Sequence, residues 1–250
     1  MTVTIFRDNG RDGERAMSYP VIAEILDCLK QFVLYIIPCV IVLLIIKFCT
    51  KVPKFIFRKL LHLVAFTCVI LMLMAANDWY AASIASLLIA AVIYPVLALA
   101  EKGQWFADLF IEKRPGEIKR SLILLFTMFA ALTAVGWGIF GGRMITAAAI
   151  LMWGVGDASA AIVGIPFGKH KVHIKPADGK KSWEGTVSMF LSSFVSGAAF
   201  LLFYANMPTA SVIWSCALGA FVGATTELFS PSEWDTVTVP AVILIVLLLF

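Results

Sequence analysis

Apolar residues in this chain come in long unbroken runs rather than in stripes. The runs cover residues 32–46, 60–76, 79–100, 122–140, 145–165, 187–204, 210–229 and 237–250, and short polar stretches separate them. About 20 apolar residues suffice to cross the hydrocarbon of a bilayer as one helix, which satisfies its own backbone polar groups there. The pattern predicts an all-α fold, a polytopic membrane helix bundle of about eight transmembrane helices. The last run is the shortest crossing, since about 14 residues rise only about 21 Å. Residues 1–31 mix acids with bases and then turn mildly amphipathic. They are read as a polar/amphipathic N-terminal segment, and residues 32–250 as one transmembrane domain that carries the chemistry.

Composition agrees with the pattern. Hydrophobic residues make up 61% of the chain and charged residues 14%, with a mean hydropathy of +0.93; ordinary soluble domains carry about 25% charged residues. Little chain remains for a soluble domain. The five cysteines form no CxxC pair, which leaves reduced thiols packed in apolar segments as the expected state.

The net charge of +4 says less than its distribution, because no Lys or Arg follows Lys181. The first connection holds Lys47, Lys51, Lys54, Arg58 and Lys59, the third holds Lys102, Lys113, Arg114, Lys119 and Arg120, and the fifth holds Lys169, Lys171, Lys175, Lys180 and Lys181. The second and sixth hold no base, and the fourth holds Arg143 alone. By the positive-inside rule the odd-numbered connections are expected to be cytoplasmic. The seventh connection, with Glu227, Glu233 and Asp235, then brings acids to the face that carries the lysines.

Asp157 is the least ordinary residue, because it lies inside an apolar run. A carboxylate at the centre of a membrane helix costs about 2.5 to 3.5 kcal/mol on insertion scales, so a cation, a partner or a water-filled cavity is expected beside it. Gly164 and Gly168 follow at helical spacing. Small residues there permit close approach of another backbone or of a ligand. Beyond them, Asp178-Gly179-Lys180-Lys181-Ser182 joins a turn signal to two ammonium groups and a hydroxyl suited to cap the next helix. Lysines beside a helix start suit phosphate oxygens. Glu184, in that first turn, either favours the helix dipole or holds a metal. The segment is not a GxxxxGK[ST] phosphate loop, because Ile174 and Lys181 stand where Gly and Ser or Thr are required. Arg58, Lys59 and His62 share one face where the second helix enters the membrane. Asp157, Glu184, Glu227 and Asp235 together offer oxygen ligands for Mg2+.

These residues resemble a known pattern. Gly156-Asp157-Ala158 with Ala160, Gly164 and Gly168, followed by Lys181-Ser182-Trp183-Glu184-Gly185-Thr186, is similar to the GDAxAxxxGxxxG…KSxEG signature of the dolichol kinase and phytol kinase family. That family groups with CTP-dependent diacylglycerol kinases and, more distantly, with phosphatidate cytidylyltransferases. Arg58-Lys59-Leu60-Leu61-His62 looks like the family's RKxxH motif, and residues 227–240 look like its E…S…DNxTxP ending, with Thr236 where the family often has Asn.

The resemblance implies an integral, multi-pass membrane enzyme with its active site on the cytoplasmic face. It would be a CTP-dependent kinase moving the γ-phosphoryl group to the hydroxyl of a membrane lipid alcohol: polyprenol or dolichol, a phytol-type isoprenoid, or diacylglycerol. The expected catalytic set is Asp157, Lys181, Glu184, Glu227 and Asp235. Gly164, Gly168, Lys180, Lys181, Ser182, Arg58 and His62 are expected at the nucleotide, with Asp157, Glu184 and Glu227 on Mg2+. The expected partners are CTP, the lipid alcohol and membrane lipids, without nucleic acid. A phosphatidate cytidylyltransferase is the nearest alternative, although the absence of bases after Lys181 counts against it. A non-enzymatic membrane transporter or lipid-binding protein is the alternative from another class.

Overall fold

The computed structural model describes residues 21–103, 106, 116–172, 181–231 and 234–250. Among them, every long apolar run becomes a helix. In chain order these are α1 (Val21–Cys49), α2 (Lys54–Ala75), α3 (Trp79–Ala100), α4 (Glu117–Leu132), α5 (Arg143–Phe167), α6 (Trp183–Tyr204), α7 (Thr209–Phe229) and α8 (Asp235–Leu248). A π-helical segment, Thr133–Ile139, continues α4. Seven of these helices, counting α4 with its π segment as one, are long and apolar enough to cross a membrane, and α8 is a shorter apolar helix. The protein is a polytopic helical bundle and an integral membrane protein.

Helix α1 starts at Val21, eleven residues before the apolar run does, because Glu24, Asp27 and Lys30 continue the helix without belonging to the hydrophobic pattern. Glu24 is satisfied across the bundle: the Tyr80 hydroxyl donates to its Oε2 at 2.7 Å. Pro38, Pro95, Pro166 and Pro240 all lie inside helices, which membrane bundles tolerate where neighbouring groups satisfy the freed carbonyls.

Helix α5 is central and packs on α2, α4, α6, α7, α8 and the π segment. In its first half Ala147, Ala148 and Ala149 are fully enclosed, beside the larger buried side chains of Ile150, Met152 and Trp153. Gly154 then lets the Phe66 ring of α2 lie against the backbone; a Cβ at that position would stand 2.5 Å from the ring. Phe66, Phe129 and Trp153 pack edge to face around this contact, with centroids 4.6 to 5.7 Å apart. This aromatic knot sets the rotation of α2 relative to α5.

Toward its C-terminus α5 meets α6 through small and hydroxylated residues. Ser193 donates to the Met152 carbonyl at 2.8 Å, and the Ser159 and Ser192 hydroxyls lie 2.6 Å apart. A Cβ on Gly156 would come within 2.2 Å of Ser193 Oγ. Such close helix approach is how membrane bundles gain packing without a hydrophobic driving force between helices.

Candidate active site

The ends of α1, α3, α5 and α7 and the starts of α2, α4, α6 and α8 lie on one side of the bundle. The side-chain ion pairs among the described residues gather there. Two of them form the candidate centre. Lys59, in the second turn of α2, donates to both oxygens of Asp157, at 2.8 and 2.7 Å. Lys181, immediately ahead of α6, lies 3.0 Å from Glu227 Oε1 and 3.3 Å from Asp235 Oδ2, and also donates to the Glu227 main-chain carbonyl.

The two pairs belong to one electrostatic unit. The charges of both Lys59 and Lys181 act on Asp157, and those of Asp157 and Asp235 act on Glu227. His62 is buried one turn below Lys59, within range of Lys59 and Asp157. Asp157, His62, Lys181, Glu227 and Asp235, widely spaced in the chain, thus lie toward the same side of the bundle.

Asp157 marks the deep end of this centre. Gly164 packs against Ser182 and Gly185 at the start of α6, and Asp157 lies seven residues earlier on α5, about 10 Å further into the bundle by helix rise. Its side chain is 33% exposed and that of Lys59 22%, so the pair is not sealed in the core.

Arg58 does not face the centre: it turns to α4 and pairs with Glu117 at 2.9 Å. Its neighbour Lys59, part of the same RKxxH run but not among the expected site residues, takes the place beside Asp157. Glu184 is not with the other carboxylates. Its oxygens accept from the backbone amides of Lys169 and His170, and Oε1 stands 2.7 Å from His170 Nδ1. It fastens the loop after α5 to the first turn of α6 and supplies no oxygen to a shared site. Gly164 and Gly168 present their Cα to protein instead of open space; a Cβ on Gly168 would fall 2.3 Å from the Gly164 carbonyl and 2.4 Å from Ser182 Oγ. Ser182 itself is buried as the N-cap of α6 and accepts from the Gly185 amide at 3.3 Å. Lys180 lies outside the described residues.

The ends of the lysine loop are pinned together. Val172 donates to the Lys181 carbonyl and Trp183 to that of His170, forming a single antiparallel bridge between Lys171 and Ser182. The bridge, the Glu184 contacts and the Ser182 cap all aim Lys181 at α7 and α8. On the same face Glu101, at the end of α3, pairs with Lys119 of α4 at 2.6 Å.

The donor chemistry was weighed for Mg2+. Among the described residues no three His, Cys, Asp or Glu side chains are grouped to hold a metal by themselves. Glu227 and Asp235, however, share one ammonium group, so two carboxylates are already convergent. Mg2+ commonly takes one or two carboxylates plus substrate phosphates and keeps several waters. The residues fit an ion that arrives on a nucleotide, not a closed resident site.

Similarity to known proteins points the same way. The chain is 31% identical over 153 residues to probable phytol kinase 2, chloroplastic, of Glycine max, covering 58% of this chain and 49% of that protein. It is 32% identical over 152 residues to a probable chloroplastic phytol kinase of Zea mays, covering 56% and 46%. The phytol kinase of Synechocystis sp. is 33% identical over 119 residues, 47% of this chain and 49% of that one. The chain is related to the phytol kinases. It spans about half the length of the curated relatives it matches. No protein-family model matches it, and no solved structure matches it significantly. The relationship carried by the short motifs around Asp157 and Lys181 is therefore supported by similarity over more than a hundred residues.

Proposed function

We propose that this protein is a lipid-alcohol kinase that transfers the terminal phosphoryl group of CTP to the hydroxyl of an isoprenoid alcohol of the phytol type. The observation that carries the reading is the paired centre itself. Lys181 with Glu227 and Asp235 lies at the head of the helices, and Asp157 lies on α5 two turns inward of Gly164, which packs at the start of α6. A soluble nucleotide meets such a centre from the aqueous side and a lipid hydroxyl from the membrane side.

Phosphoryl transfer asks a protein mainly to position its reactants and neutralise charge. Lys181 contacts phosphate oxygens. Glu227 and Asp235 would hold a Mg2+ brought in with the nucleotide, and that ion would supply neutralisation of phosphate charge. The acceptor oxygen attacks the γ-phosphorus, the bond from that phosphorus to the β-phosphate oxygen breaks, and CDP leaves. The hydroxyl proton passes to the Asp157 carboxylate. The preference for CTP over ATP comes from the family resemblance. The cytoplasmic placement of the centre comes from the basic residues of the same connections.

Purified protein in micelles, supplied with γ-labelled CTP or ATP, Mg2+ and a panel of phytol, polyprenol, dolichol and diacylglycerol, tests the reading. Label is expected in the lipid phosphate of the phytol-type acceptor, with CTP as the better donor. Absence of γ-label from every lipid overturns the kinase reading, and transfer of α-label with cytidine replaces it with nucleotidyl transfer.

A further inference from the structure

Lys59 and Lys181 are held in different ways. Lys181 has three acceptors, namely the Glu227 carboxylate, the Glu227 main-chain carbonyl and the Asp235 carboxylate. It is also stationed by a bridge and a helix cap on either side. Lys59 stands on a flexible stem, and both of its hydrogen bonds go to the same carboxylate. One lysine is locked in place and the other is held by a single partner.

The charge balance is also incomplete. Among the described residues, Lys59 and Lys181 pair with Asp157, Glu227 and Asp235, two cations against three anions. A triphosphate approaching this centre meets a net negative charge while Lys59 remains spent on Asp157. Asp157, for its part, cannot receive a hydroxyl proton well while both of its oxygens accept from an ammonium group.

We infer that Lys59 is a phosphate-contacting residue that is parked on Asp157 until the nucleotide binds, so that nucleotide binding exchanges the partners of Lys59 and frees Asp157 for the acceptor. The inference rests on the kinase reading and adds a residue and an order of events to it. The geometry permits the exchange. The pair is not sealed in the core, with a third of the Asp157 side chain exposed, and the charges of both Lys59 and Lys181 act on Asp157. Phe66 against Gly154 fixes the helix beneath Lys59, so the side chain moves while α2 stays in place.

Exchange and plain structural pairing predict different signs. If Lys59 contacts phosphate and Asp157 competes for it, Lys59→Met weakens binding of Mg-CTP about tenfold or more, the loss expected for a hydrogen bond to a charged group. Asp157→Asn, which releases Lys59, tightens binding severalfold while abolishing turnover. If the pair is only structural, both variants change binding in the same direction or not at all.

The experiment is direct binding of labelled CTP in the presence of Mg2+ to the full chain in micelles. It compares wild type, Lys59→Met, Lys59→Arg, Asp157→Asn and the double variant Lys59→Met/Asp157→Asn. Opposite signs for the two single neutralising variants, with Lys59→Arg near wild type, support the exchange. The double variant leaves no buried charge unpaired and serves if Lys59→Met fails to fold; it is expected to bind as weakly as Lys59→Met and far below Asp157→Asn. Equal binding by the double variant and Asp157→Asn overturns the inference and leaves the kinase reading standing. A wild-type chain that binds no CTP and phosphorylates no lipid overturns both.

Discussion

Lys181, next to the Ser182 N-cap of α6, holds Glu227 of α7 by both its carboxylate and its main-chain carbonyl. One ammonium group thereby ties a loop to the end of one helix and, through Asp235, to the start of the next. Stability and the proposed phosphate contact therefore rest on the same atom.

Lys181→Met should therefore fail in two measurable ways. Thermal unfolding in micelles should show a loss of about 3 kcal/mol, typical for removing one member of a buried ion pair. Lipid phosphate formation should fall by on the order of a hundredfold. Lys181→Met combined with Glu227→Gln and Asp235→Asn should recover much of the stability but none of the activity.

Arg58 and Lys59 are adjacent bases with separate fates. Arg58→Ala should lower stability by about 0.5 to 1 kcal/mol, the range for a partly exposed pair, and leave kcat close to wild type. A double-mutant cycle with Glu117→Gln measures the coupling; a large loss of turnover in Arg58→Ala would return that residue to the centre.

Glu184→Gln offers a sharp contrast with a metal-ligand role. Its carboxylate fastens residues 169 and 170 to α6, and such exposed contacts contribute little individually. The variant should retain turnover within about tenfold of wild type, with the greater change in KM for CTP as Lys181 is less firmly aimed. A metal ligand would instead cost most of kcat at all CTP concentrations.

Glycine substitutions should divide by local space. Gly156→Ala places a Cβ 2.2 Å from Ser193 Oγ, and Gly168→Ala places one 2.3 Å from a carbonyl, whereas Gly219→Ala meets nothing nearer than 3.5 Å. Overpacking costs about 1 to 3 kcal/mol, so the first two should unfold at lower temperature and the third should not.

Chelation of Mg2+ should stop phosphate transfer without changing the unfolding temperature of the nucleotide-free protein. A structural metal would couple removal to unfolding, and no three-ligand cluster exists among the described residues. A large drop in unfolding temperature with chelator alone would contradict a nucleotide-borne ion.

The helices were legible because lipid leaves few alternatives: apolar runs of spanning length fold as helices wherever they sit. The start of α1 was not, because Glu24 finds a hydroxyl on α3 that no local pattern announces. Within the centre, Asp157 and Lys181 stood out by being costly or clustered in the chain. The choice between Arg58 and Lys59 was hidden. Consecutive helical residues differ by about 100°, and the aromatic knot at Gly154 decides which one turns inward. Glu184 misled for a related reason: its nearness to Lys181 in sequence says nothing about which way the first turn of α6 faces.

The spacing of partners also constrains how the protein comes into being. Lys59 meets an acid 98 residues later, and Lys181 one 54 residues later, at the entrance to the last helix. During synthesis, then, each cation is inserted well before its counter-charge exists, and the centre closes only when α8 arrives. A chain truncated before that short helix carries every lysine of the site but lacks Asp235, so phosphate transfer should begin only once α8 is in place.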